Sequence, residues 1–190
     1  MTDQRGTPTD PGWKPVFRRL PLLLVPVLGM RAMALNRSGL DSLRMVWLTL
    51  AHAMVLLWLP VLLIGGSGFG LVGSQAAVVV AAVVGVVAQL FAPRLAPELD
   101  PTTPRNLVDS FQRATLTRIG LAQFALAVGL LGFLASGGVA AYAVGFVIAA
   151  AGMADAAPTR RHLVVAQAKV DQAESGLDLR SALIEQRLGR

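Results

Sequence analysis

Long apolar runs separated by short charged intervals dominate the chain. No Asp, Glu, Lys or Arg occurs between residues 45 and 93, or between 119 and 154. A bilayer core is about 30 Å thick and is crossed by about 20 helical residues. The first run, at 49 residues, therefore suits two spans, and the second, at 36, suits two shorter spans that borrow flanking residues. Gly65-Gly66-Ser67-Gly68-Phe69-Gly70 and Ser136-Gly137-Gly138 are the natural turns. The pattern predicts spans over 45–64, 71–92, 115–136 and 139–157. The runs are continuous rather than alternating, which favours helices over a closed barrel.

The two hairpins read as tandem copies. Each opens on Arg, sets a polar residue early in its first span, turns at glycines and closes at Pro93 or Pro158. Leu50-Ala51-His52-Ala53 aligns with Leu121-Ala122-Gln123-Phe124. The second span of each hairpin carries small residues four apart: Gly73, Ala77, Ala81 and Gly85, then Ala141, Gly145 and Ala149. That spacing forms one stripe along which helix backbones can approach closely. Pro60 predicts a kink near the outer end of the first span.

Composition agrees with this reading. The chain is 54% hydrophobic and 15% charged, with a mean hydropathy of +0.60, whereas soluble domains are about 25% charged. Charge also orients it. The intervals 1–44, 94–118 and 155–190 carry seven, four and six basic residues, and the turns at 65–70 and 136–138 carry none. By the positive-inside tendency, both termini and the central loop are expected in the cytoplasm of a bacterial inner-membrane protein, with Arg118 snorkelling outward from the third span. The net charge of +6 is then explained by anionic lipid rather than nucleic acid.

The expected fold class is all-α integral membrane, with four transmembrane helices as two tandem hairpins and cytoplasmic or interfacial helices at both ends. Residues 1–17 are expected as a disordered tail and 18–44 as an interfacial or re-entrant segment. Hairpins at 45–93 and 115–157 flank a Pro-rich loop and short helix over 94–114, and a helical tail covers 158–190. Within 20–34, a basic and then apolar stretch followed by Ala32-Met33-Ala34 also resembles a cleaved signal, although Arg31 interrupts it. Thr103 or Asn106 is a candidate cap for the helix entering the third span. Pro158 is expected to open a tail helix with Leu163, Ala166, Val170 and Ala173 on one face and Gly176 at its end. Asp178 caps a last helix presenting Leu179, Ala182, Leu183 and Leu188.

Candidate chemistry is sparse. Cys is absent and only His52 and His162 represent histidine, so no metal or cofactor set is expected. The glycines at 66–70 lack the Lys of a phosphate loop, and no nucleophile elbow or His-Glu-x-x-His occurs. An intramembrane polar residue is a functional candidate by default. His52 and Gln123 form the candidate intramembrane polar site, either as a relay or as an interhelical hydrogen bond. Gln75, Gln89, Ser74 and Thr49 are the other polar groups, and Asp155 lies near the end of the fourth span. Trp47, Trp58 and Tyr142 read as core or interface anchors.

Arg118-x-x-Leu121-Ala122-Gln123-x-Ala125-x-x-x-Gly129, then Gly132-Phe133, Pro158-Thr159-Arg160-Arg161-x-Leu163 and Leu177-Asp178-Leu179-x-x-Ala182-Leu183, resembles a group of small uncharacterised bacterial four-span membrane proteins. The third span is also similar to the carboxylate-bearing helix of rotary ATP synthase c subunits. Gln123 stands where that resemblance implies an ion-binding Glu, so ion carriage does not carry over. The expected function is a non-enzymatic structural, accessory or partner-binding role, the partners being the lipid bilayer, a second copy or another membrane protein. The alternative is an oligomeric subunit of a small transporter or ion channel.

Overall fold

The computed structural model describes residues 12–18, 38–65 and 69–185. Among these residues the chain is helical and contains no strand. In order the helices are α1 (Lys14–Phe17), α2 (Gly39–Leu56), α3 (Trp58–Ile64), α4 (Ser74–Leu95), α5 (Pro104–Ser136), α6 (Val139–Ala156), α7 (Arg160–Gln172) and α8 (Leu179–Glu185). Four stretches are long and apolar enough to cross a membrane: Gly39–Ile64, Ser74–Leu95, Pro104–Ser136 and Val139–Ala156. The signal-like stretch and the interfacial segment up to residue 37 lie outside the described residues, as does Leu188.

The helices overrun the charge-free runs. α5 extends through Arg105, Asp109, Arg113 and Arg118 before reaching the apolar stretch, because backbone hydrogen bonding continues wherever no proline intervenes. Thr103 starts it, its hydroxyl accepting the Asn106 amide at 3.1 Å, the expected cap. α4 continues two residues past Pro93; a proline in the last turn costs less than one mid-helix. The first span breaks at Leu57, between α2 and α3. Pro60 supplies no amide for the Leu56 carbonyl, and the next bond, Val61 to Leu57, is stretched to 3.4 Å. This is the kink the sequence anticipates.

Two compact units emerge: Met1–Thr49 with Pro97–Ala114 and Ala157–Arg190, and Leu50–Ala96 with Thr115–Ala156. The first has an aliphatic core of Leu40, Leu43, Leu107, Val108, Phe111, Leu163, Ala166, Val170, Leu179 and Leu183. Val16, Met45 and Leu48 form a second cluster, against which Trp47 packs. Residues 12–17, expected within a disordered tail, instead include the helical turn α1, with Val16 buried. The fully buried Arg44 ties this segment down: its Nη1 donates to the Gly12 carbonyl at 3.0 Å. Its guanidinium lies 5.5 Å from the Trp13 ring, and Trp13 meets Trp47 edge-on at 5.3 Å. A buried Arg at the foot of an apolar run was invisible in the charge pattern.

The tail helices need two corrections. Pro158 does not open α7; Thr159 is the cap, its hydroxyl accepting the His162 amide at 3.4 Å, and Pro158 precedes it. α7 stops at Gln172, short of Gly176, because Glu174 already turns to φ 51°. Ala173 is accordingly exposed, whereas Leu163, Ala166 and Val170 are buried as spaced. Asp178 caps α8 through the Arg180 amide at 3.1 Å and the Ser181 hydroxyl at 2.6 Å. Gln167 joins the two helices by donating to the Leu177 carbonyl (2.9 Å) and accepting the Leu179 amide (2.8 Å).

Candidate intramembrane polar site

The second unit is assembled on small residues. On α4 the buried residues are Ala77, Ala81, Gly85, Ala88 and Ala92, and on α6 they include Ala141, Gly145 and Ala149. Gly73 does not join its stripe: it precedes α4, and a Cβ there would meet nothing within 4 Å. The stripes are filled from within the chain. A Cβ on Gly145 would lie 2.8 Å from both Gly129 Cα and the Ala125 carbonyl oxygen of α5. A Cβ on Gly132 would lie 3.2 Å from that of Ala141, and one on Gly85 would lie 3.3 Å from that of Ala125. Thus α5 contributes a third small-residue edge, Ala125, Gly129 and Gly132, which the search for four-residue stripes overlooked.

These contacts set the depth of the polar groups. Gly85, Ala125 and Ile148 share one level, and Gly152 lies beside the Gln89 amide. The Tyr142 hydroxyl donates to the Met54 carbonyl at 3.1 Å, aligning α2 with α6. Counting along each helix at 1.5 Å per residue puts Gln89 and Gln123 within about 3 Å of one depth and His52 about 9–12 Å from them along the bundle. All three side chains are half-buried. Their Nε2 atoms are fully buried, and none has a hydrogen-bond partner. The anticipated His52–Gln123 bond is therefore not made through these nitrogens.

Gln89 is the member sequence reasoning left aside. Its signal is position: it follows the buried stripe of Gly85 and Ala88 by one step, so it turns inward with them. It also accounts for Gly152, where a Cβ would lie only 2.6 Å from the Gln89 Cδ and Nε2. Arg118 is half-buried with its Nε covered and unbonded, rather than fully extended to solvent. Tyr142 is fully buried, and its ring meets Trp58 edge-on at 4.9 Å, with Phe146 5.5 Å from Trp58. Trp58 and Tyr142 thus belong to a packed aromatic group, as anchors do. Asp155 is exposed at the end of α6.

What this arrangement can do is bounded by its chemistry. The set contains one imidazole, His52, and two amides that do not ionise. Among the described residues no three His, Cys, Asp or Glu side chains gather into a metal-binding group. No family model, curated protein or solved structure matches the chain.

Proposed function

We propose that this chain is a multi-pass protein of the bacterial inner membrane, built as two tandem hairpins with both termini cytoplasmic. Its role is structural or accessory: it binds a membrane partner or a second copy and performs no catalysis. The observation that carries this reading is the uneven use of helix surface. Small residues are spent inside the unit, whereas the first span, Gly39–Ile64, has only 17% of its most apolar stretch buried. Leu59, Leu62 and Leu63 of α3 are 61–85% exposed, beside a kink that leaves the Leu56 carbonyl without its usual donor. In lipid, helix association depends on packing and on such polar groups.

A photo-crosslinking residue at Leu63 and at the buried Val61 tests the proposal in native membranes. Discrete protein adducts from Leu63, but not from Val61, are expected. Lipid adducts alone from Leu63 would overturn it. A second reading, an oligomeric transporter or channel subunit, is supported by the unbonded Nε2 atoms of His52, Gln89 and Gln123. It requires proton or ion flux in liposomes that falls on His52→Ala; flux unchanged by that substitution removes it.

A further inference from the structure

Helix α7 has two faces. Leu163, Ala166 and Val170 are buried in the aliphatic core. On the opposite face Val164 and Val165 are 69% and 53% exposed, and Arg160, Arg161, Ala168 and Lys169 are exposed with them. At 100° per residue, Arg161 and Ala168 lie at the centre of this outer face, with Val164 and Val165 on either side. Arg160 and Lys169 mark its edges. An exposed valine pair with Arg161 between them and Arg160 and Lys169 at the edges is the make-up of a helix lying in a lipid interface. The acid on this face is Asp171, whose carboxylate accepts the Gln167 amide at 2.7 Å. Glu174 follows beyond the helix end.

Chain connectivity adds the location. Arg160 follows Ala156, the last residue of a helix fit to span a bilayer, by four residues. An extended chain covers at most about 14 Å over that interval. The first turn of α7 is thereby confined to the reach of the headgroups, where cations meet lipid phosphates. We propose that the outer face of α7 binds the anionic phospholipid of the leaflet from which α6 emerges. Val164 and Val165 enter the headgroup–acyl boundary, and Arg160, Arg161 and Lys169 contact phosphate. The proposal rests on the membrane reading above.

The absence of native Cys permits a clean test. Full-length Val164→Cys, labelled with an environment-sensitive fluorophore, is reconstituted in phosphatidylcholine vesicles with and without phosphatidylglycerol. In anionic vesicles the label is expected to shift to the blue and to be quenched by lipid-borne quenchers. Each cation removed, by Arg160→Gln or Arg161→Gln, should lower the docked-to-undocked ratio about fivefold. A label equally water-exposed in both vesicles overturns the proposal, and equal lipid contact without phosphatidylglycerol overturns its charge component. Protection from both water and lipid quenchers would identify a protein on this face and also overturn it. Flotation separates the two levels: a chain that fails to float with either vesicle refutes the membrane reading itself. A chain that floats with α7 undocked refutes only this inference.

Discussion

The two units differ in how they use small residues. In the first, the interior holds large aliphatics and Phe111, and α7 exposes Arg160, Arg161, Lys169, Asp171 and Gln172 beside Val164, Val165 and Ala168. In the second, α4 turns only Ala and Gly inward and its large side chains outward: Val79, Val80, Val83, Val86, Val87 and Leu90 are all exposed, while Ile119, Phe133, Tyr142 and Met153 of α5 and α6 are buried beside the small residues. Water makes the first arrangement favourable, since removing large apolar side chains from it drives folding. Lipid removes that drive. Helices then associate by close backbone approach and specific polar contacts, for which small residues are best suited. The small-residue seam of the second unit is what a lipid surrounding would favour, and the larger aliphatic core of the first is what water would favour.

The comparison is most sharply broken at Phe111. Truncating a buried aromatic loses transfer energy and leaves a cavity. Phe111→Ala should destabilise the first unit by about 3–5 kcal/mol. Amide exchange should accelerate along α7 and α8, whose buried residues share that core, while amides of α4 keep their protection. Equal loss of protection in both units would show that their cores are not distinct.

A smaller but more discriminating effect is expected at Gly145. Its missing Cβ faces the backbone of Gly129 and Ala125, so Gly145→Ala forces α5 and α6 apart, with a cost of about 1–3 kcal/mol. Gly120 lies on α5 with nothing near its would-be Cβ. Gly120→Ala should therefore be neutral or stabilising, by up to about 1 kcal/mol of helix propensity. Denaturation in mixed micelles distinguishes the pair. Destabilisation by both would mean that glycine acts through chain flexibility rather than through close contact.

The same contrast explains what could be read from the sequence. Four helices long and apolar enough to span followed from two charge-free runs because charge is costly in hydrocarbon whatever the packing. Ala77, Ala81, Gly85, Ala141, Gly145 and Ala149 were placed by helical period alone, and all are buried. Gly73 failed because period says nothing about where a helix begins; Ser74 is the first helical residue. The third edge, Ala125, Gly129 and Gly132, has uneven spacing and shows only when its partners are known. Gln89, named among the polar groups but left out of the candidate pair, and the buried side of Arg44 escaped for a related reason: polarity reveals residue type, whereas burial depends on the neighbour that arrives. Val16 was missed because a polar, proline-rich context outweighs one short apolar turn, and only its contact partners, Met45 and Leu48, show it buried.

The smallest expected effect lies in the loop before α5. Asp100 Oδ1 accepts the Thr102 hydroxyl at 2.7 Å and the Thr102 amide at 3.0 Å, while Oδ2 accepts the Asn106 amide group at 3.3 Å. The Thr102 hydroxyl, then its backbone amide, hold the Asp100 carboxyl below its ordinary 3.8, and slight desolvation opposes them. A carboxyl depressed in the folded state contributes stability above its unfolded pKa and loses that contribution as pH falls through the folded value. The loop should therefore hold at neutral pH and loosen only below about 4. Thr102→Val removes the leading cause, so the Asp100 titration, followed by carboxyl NMR, should move upward and loop opening should begin at higher pH. Tail-core residues such as Leu183 should keep their signals through the same titration. An unmoved Asp100 midpoint would assign the turn to backbone geometry instead of the hydroxyl bond.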